Sequence, residues 1–177
     1  MLYKRKEVNQ KKFFFLFLAC LSLSVSSDSF KFNNYNNHGI VGLINTPTAR
    51  FFDEAVHGVT IYNSDEVQKI TLSSNPYNWL EASFFYMNLP NVRLCRAYPG
   101  ITPICEGYKD KGFNLKLRLK EEGIFPAVAI GLMDFAGTGR YSSEYIVTSY
   151  GIGKLDMHLG LGWGKLSGSS KQIKNPL

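Results

Sequence analysis

Between Leu155 and Gly164 the chain reads Leu-Asp-Met-His-Leu-Gly-Leu-Gly-Trp-Gly, with Leu155, Met157, Leu159, Leu161 and Trp163 at every second position. Side chains alternate faces along a strand, so this period makes one face apolar and leaves the other to Asp156, His158 and glycines, a division that a helix would scramble. The same alternation occurs upstream, where Phe113, Leu115, Leu117 and Leu119 interleave with Asn114, Lys116, Arg118 and Lys120. A segment of about ten residues ending in Trp suits a strand tilted across a hydrocarbon layer. A soluble sheet packed on a second sheet carries the same pattern, so two architectures remain open at this point.

Further strands follow from the same reading. Short ones are expected over Val56–Ile61 and Lys69–Leu72, turning at Asn63-Ser64-Asp65, and a longer one runs from Trp79 to Met87. In that longer strand Leu80, Ala82, Phe84 and Tyr86 oppose Glu81, Ser83, Phe85 and Met87, both sets apolar enough to leave its orientation open. Ala127–Leu132 has small residues on one face, and Ser142–Tyr150 ends in an aromatic. Turns are expected at Glu121-Glu122-Gly123, over the glycine-rich residues 134–140, and at Gly151-Ile152-Gly153-Lys154. The sum is an all-β antiparallel meander of seven or eight strands. Before it, residues 28–37 form a polar leader expected to be exposed, and His38–Asp53 is an apolar run broken at Asn45-Thr46-Pro47. Thr48–Phe52 suits one helical turn or a plug-like loop. Residues 167–177 show no strand pattern.

The first 27 residues alter the picture. A basic start, the apolar run from Phe13 to Leu21 and the small-x-small triplet Ser24-Val25-Ser26 read as a secretory signal peptide. The run is short of the roughly 20 residues that a spanning helix needs, which disfavours an anchor. Phe17-Leu18-Ala19-Cys20 resembles a lipobox, making Cys20 a candidate for lipidation. No later stretch is a continuous apolar span, so entry into a membrane would require strands closed into a barrel, because lipid cannot satisfy an open sheet edge.

Export also governs the cysteines and the charge. Cys95 and Cys105 form an even pair in an oxidising compartment and are expected as a disulfide closing a loop that contains Pro99, Gly100 and Pro103. His57 and His158 show no metal-ligand spacing to them, so no metal is expected. The net charge is +6, but the signal segment holds five basic residues against one acidic. What remains is nearly neutral and gives no footprint for nucleic acid. With 45% hydrophobic and 19% charged residues the chain has the composition to build a core.

Candidate chemistry is sparse. The glycine-rich Asp134–Gly139 lacks the Lys-Ser/Thr of a phosphate loop and reads as a hairpin connection. Glu121-Glu122 and Asp53-Glu54 are adjacent pairs whose members point apart on a strand, unsuited to paired acid/base work and read as solvated turns. No serine sits in a nucleophile elbow, and His38, His57 and His158 are read as turn or surface residues. The chain is therefore expected to have no catalytic residues, cofactor or metal. The best candidates for function are Asn114, Lys116, Arg118 and Lys120, joined by Glu144, Asp156 and His158, which in a barrel would line the lumen and contact glycan. The bland alternative is an ordinary solvated sheet face. In the barrel reading Phe113, Leu115, Leu117, Leu119, Leu155, Met157, Leu159, Leu161 and Trp163 face lipid.

Several blocks in order carry a resemblance: His38–Arg50, Trp79–Tyr86, Tyr108–Asn114, Gly131–Gly139, Ser142–Tyr145 and Leu159–Gly164. Over residues 38–166 the chain resembles the start of the YjbH/GfcD family of exopolysaccharide-biosynthesis and group 4 capsule proteins. That resemblance implies a Gram-negative outer-membrane β-barrel component of polysaccharide export, non-enzymatic, with outer-membrane lipid, extracellular polysaccharide and other export proteins as partners. Family members are much longer, so an N-terminal portion with an incomplete barrel is expected. The alternative is a soluble periplasmic β-sandwich acting as a carbohydrate-binding module, with a polysaccharide-modifying hydrolase behind it.

Overall fold

A computed structural model describes residues 31–167 except 32, 99–100 and 140. The signal segment, Cys20 and residues 168–177 lie outside the described residues. The described residues form an all-β antiparallel structure. Seven strands follow one another in chain order, each paired with the next: β3 (Val56–Asn63), β4 (Gln68–Tyr77), β5 (Leu80–Tyr98), β6 (Ile101–Lys120), β7 (Ala127–Met133), β8 (Ser143–Ile152) and β9 (Leu155–Gly162). The sheet curls into a half-barrel whose two edges, β3 and β9, are not paired with each other. Ahead of it β1 (Gly42–Leu43) and β2 (Thr46–Pro47) make a small separate hairpin.

Period-two patterning is what curls this sheet around one side. Ser73, Ser83, Phe85, Asn114, Lys116, Ala129, Tyr145, Val147 and Ser149 are buried on the concave face. Ile70, Leu72, Phe113, Ile130, Ile146, Leu159 and Leu161 are exposed on the convex one. Cross-strand neighbours agree in facing, as for Leu80 opposite Leu117, Ala82 opposite Leu115 and Phe84 opposite Phe113. Registers are then fixed, because a one-residue slip would turn every polar side chain to the apolar face.

Tight packing on the concave face needs glycine where rings lie flat against a neighbouring strand. A Cβ on Gly131 would fall 2.2 Å from the ring of its cross-strand partner Tyr145, and one on Gly58 would fall 2.4 Å from the ring of Tyr35. Small residues on β7, Ala127 and Ala129 beside Gly131, leave room over that strand. Ile40, Ala49 and Phe51, from the segment before β3, fill it and complete the core with Met133, Tyr145 and Val147.

The structure departs from the sequence reading in several places. The stretch around Cys95 and Cys105 is not a loop: β5 and β6 extend as a two-stranded ribbon beyond their neighbours, and the two cysteines face each other across it in a disulfide. Pro90 is accommodated because it falls within the register shift between Leu89 and Arg93, where no ladder bond is lost. Lys120 leaves the row of Asn114, Lys116 and Arg118, since a bulge between Arg118 and Lys120 sets it opposite Val128 and its ammonium lies 4.2 Å from the Phe125 ring centre. Glu144 lies on the opposite face from that row, in phase with Ile146 rather than Ser143 and Tyr145. Trp163 follows β9 instead of ending it and is half-buried, its backbone N–H donating to the Glu144 carbonyl at 2.8 Å. The polar leader is structured by Tyr35, which bridges Val41, and Asn36 is buried.

Candidate functional site

The segment 33–53, irregular apart from the β1–β2 hairpin and without a helical turn, runs through the concavity, and polar side chains of the half-barrel sheet grip its backbone. Within it Thr48–Phe52, expected as one helical turn or a plug-like loop, has no helical turn, and the inserted segment is longer than that stretch. Four wall strands take part. On β5 and β6, Glu81 and Lys116 are direct cross-strand partners and form an ion pair that is wholly buried. Neither is spent on the other alone. The Val41 N–H donates to Glu81 Oε1 at 2.7 Å, and Lys116 Nζ donates to the carbonyls of Val41 (3.1 Å) and Arg50 (2.9 Å). On β8 the Ser149 hydroxyl oxygen accepts the Ala49 N–H at 2.9 Å, and on β4 the Ser73 hydroxyl donates to the Gly39 carbonyl.

The Arg50 side chain extends the network. Its Nε donates to Asp156 at 3.1 Å, its Nη2 to the other oxygen of the same carboxylate at 2.5 Å, and its Nη1 pairs with Glu122. Burial opposes the charge, but the bonds to Asp156 and Glu122 outweigh it and hold the guanidinium above its usual pKa. Phe51 lies under two cations, with Lys116 Nζ and the Arg118 guanidinium each 4.5 Å from the ring centre. At the hairpin base Asn36 Oδ1 accepts the N–H groups of His38 (2.9 Å) and Ile40 (3.2 Å). Burial first, then the charge of Lys69, push the His38 imidazole down to about 4, against a hydrogen bond with the Asn45 backbone.

His158 is no surface residue. Its Nδ1 lies 2.8 Å from Ser149 Oγ, and its Nε2 is 3.6 Å from Asp156. These three types resemble a nucleophilic triad, but the geometry serves packing. Ser149 is buried beneath the segment and already accepts the Ala49 N–H, and Asp156 is committed to Arg50, so no substrate carbonyl has access to the hydroxyl. Glu122, read from sequence as solvated, is likewise drawn in by Arg50. Glu121 remains outside and pairs with Arg118 at 2.8 Å.

Of the residues singled out from the sequence, Asn114, Lys116, Arg118, Asp156 and His158 line the concave side, whereas Lys120 and Glu144 do not. Lys116 is engaged by protein on every side. Asn114 is also occupied: its Nδ2 donates to Ser83 Oγ at 2.9 Å, and its Oδ1 accepts the Asp134 N–H at 3.1 Å. Sequence reasoning missed Arg50, Glu81 and Glu122. The available signal was Glu81, a carboxylate on the same face as Ser83 in an otherwise apolar strand, which needed a partner if that face was buried.

No solved structure matches the chain, so its comparison with known proteins rests on sequence. The family model described as "Exopolysaccharide biosynthesis protein YbjH" matches residues 34–177, so it takes in both the lodged segment and the sheet. The protein of Escherichia coli (strain K12) named "Uncharacterized lipoprotein YjbH" is 39% identical over 145 residues, covering 80% of this chain. The chain spans about a fifth of that relative, 20% of its length. On these matches the chain belongs to the YjbH family of exopolysaccharide biosynthesis proteins.

Proposed function

We propose that these strands form part of the wall of a Gram-negative outer-membrane β-barrel, with the segment 33–53 lodged in its lumen, and that the protein serves polysaccharide export without catalysing a reaction. The observation that carries this reading is the separation of the two sheet faces. A convex surface exposing Leu72, Phe113, Ile130, Leu159 and Leu161 is unfavourable in water over such an extent, and it is what a lipid-facing wall requires. Strands of seven to ten residues such as β4, β7, β8 and β9 match a tilted crossing. No helix among the described residues is long and apolar enough to cross a membrane, so strands would do the crossing.

Short turns gather at one end of the sheet, where Tyr77 and Trp79 stack with ring centres 5.4 Å apart, and the long β5–β6 ribbon projects from the other. Barrels carry short periplasmic turns, aromatic girdles and longer external loops, which orients the ribbon outward. Both open edges need partners in lipid, and further strands of a longer chain would supply them. A signal peptide and acylation at Cys20 complete the reading, in keeping with a relative named as a lipoprotein.

Envelope fractionation tests it. The protein is expected in the outer membrane with heat-modifiable gel migration, and a lipid-soluble photoprobe should label positions 155, 157, 159 and 161 but not 156 and 158. Recovery in the soluble periplasm without detergent would instead support a sandwich whose apolar face is covered by a second sheet.

A further inference from the structure

We propose that the cavity between the β1–β2 hairpin and the ribbon end of the wall is a binding site for a carboxylate-bearing pyranose unit of a polysaccharide. This deepens the export reading and rests on it for the polymeric context. The cavity holds about 370 Å³, and its lining comes from the lodged segment (Asn37, Asn45), the wall (Lys69, Phe85, Asp134) and Lys165 beyond β9. That volume lies within the range of small-molecule sites.

Three features select the ligand class. The first is cationic: Lys69 and Lys165 converge on the cavity, and among the described residues neither has a carboxylate within ion-pair distance. Lys69 Nζ instead rests 4.3 Å from the Phe85 ring centre, and Lys165 Nζ 5.5 Å from that of Tyr141. Contrast Lys116, whose charge is consumed by Glu81 and two carbonyls. The second is an acceptor: Asp134 is buried, its Oδ2 takes the Tyr141 N–H at 3.0 Å, and its Oδ1 is buried without a hydrogen-bond partner among the described residues. Such an atom, enclosed against Gly112 and Gly137, is costly until the side chain turns toward a donor in the cavity. The third is apolar, a floor of Phe85, Met87 and Met133.

A pyranose acid presents these features in complement. Its C–H face covers the apolar floor, a hydroxyl donates to Asp134, and its carboxylate takes charge-assisted bonds from the two ammonium groups. A neutral sugar would leave both cations unused. An alkyl chain would strand the buried carboxylate as well.

The test uses the full mature chain folded in detergent micelles, with folding checked by heat-modifiable migration and binding measured by calorimetry. Trigalacturonate is expected to bind at least tenfold tighter than maltotriose. Lys69→Met should weaken trigalacturonate binding about tenfold or more and leave maltotriose binding unchanged, while Lys69→Arg restores most of the loss. Absence of saturable trigalacturonate binding by folded protein, equal binding of the two sugars, or an unaffected Lys69→Met variant would each overturn the assignment. Acid-selective binding by a protein that needs no detergent would refute the membrane reading and keep the site, and a membrane-inserted protein that binds neither sugar would do the reverse.

Discussion

Replacing Lys116 by Met keeps the length of the side chain and removes its charge, which makes it the sharpest perturbation of the lodged segment. Lys116 and Glu81 are both wholly buried, so the variant leaves a carboxylate in the wall whose remaining partner is the Val41 N–H. It also deprives the carbonyls of Val41 and Arg50 of their donor. Removing one partner of a buried pair costs about 3–5 kcal/mol, chiefly through the charge left behind. Taking about 4 kcal/mol, at about 1.4 kcal/mol per tenfold, the undocked population of the segment rises by roughly three orders of magnitude. Trypsin reads that population, because Arg50 is buried and its side chain is tied to Asp156 and Glu122, so cleavage after it requires release. Fragments beginning at Phe51 should therefore appear about a thousandfold faster in Lys116→Met under native conditions. The double variant Glu81→Gln/Lys116→Met, which leaves no unpaired charge, should recover most of the protection. A folded Lys116→Met protein cut after Arg50 at the parental rate would refute the argument that this pair holds the segment, and a double variant as labile as the single one would refute its electrostatic basis.

Other expectations follow from particular contacts. Leu159→Lys places a charge at an exposed position of the convex face; in lipid it should cost about 2–4 kcal/mol if near the midplane, read by urea unfolding in vesicles, whereas a neutral effect would mean that this face meets water. Gly131→Ala drives a methyl into the Tyr145 ring and should cost about 1–3 kcal/mol, while Gly123→Ala, with nothing within 4 Å, serves as the neutral control. His38 is held down to about 4 in the folded protein against 6.5 when released, so the released hairpin binds more protons between those values and docking weakens as pH falls through that window. The slope approaches about 1.4 kcal/mol per pH unit; the protection of the Ile40 and Val41 amides, taken relative to the intrinsic exchange rate at each pH, should fall from pH 7 to pH 5, and His38→Gln should remove the dependence. Reduction of Cys95–Cys105 should speed exchange in the ribbon beyond Leu89 and leave β7 and β8 unchanged, since those strands share no pairing with it.

How much of this was legible in the sequence depends on the range of the interaction. Strand existence and facing follow from period two and from neighbours in sequence, so the alternation over residues 113–119 and 155–161 located strands and divided their faces correctly. Where one chemical irregularity resets the phase, the reading failed. The bulge at Lys120 carries no sequence mark apart from its being a strand end, and Glu144 lay one position out of phase because Ser142–Tyr150 is polar at both of its first two positions. Prolines and glycines pointed to a loop around Cys95, but a two-stranded ribbon projecting beyond the sheet loses little when a bulge absorbs the missing donor.

The lodged segment was the hardest feature to anticipate, and the reason is thermodynamic. Its attachment is built from pairs far apart in sequence, Val41 with Glu81, Arg50 with Asp156 and Ala49 with Ser149, and each bond exists only once the registers on both sides are fixed. A lysine and a glutamate in separate strands carry no mark of being partners; read singly, each is a solvated residue of a barrel interior. What changes the expectation is the composition of the segment itself. Ile40, Val41, Ala49 and Phe51 need burial, yet they sit in a stretch whose Asn45-Thr46-Pro47 break prevents a continuous strand or helix. An irregular backbone can be buried only if side chains satisfy its N–H and C=O groups. Apolar residues on a broken backbone therefore demand polar partners on the surface that receives them, and the concave row of Ser73, Glu81, Lys116 and Ser149 meets that demand. The charges that face the segment are thus explained first by the segment they hold, whereas Lys69 and Lys165 line the cavity beside the hairpin without a carboxylate partner among the described residues.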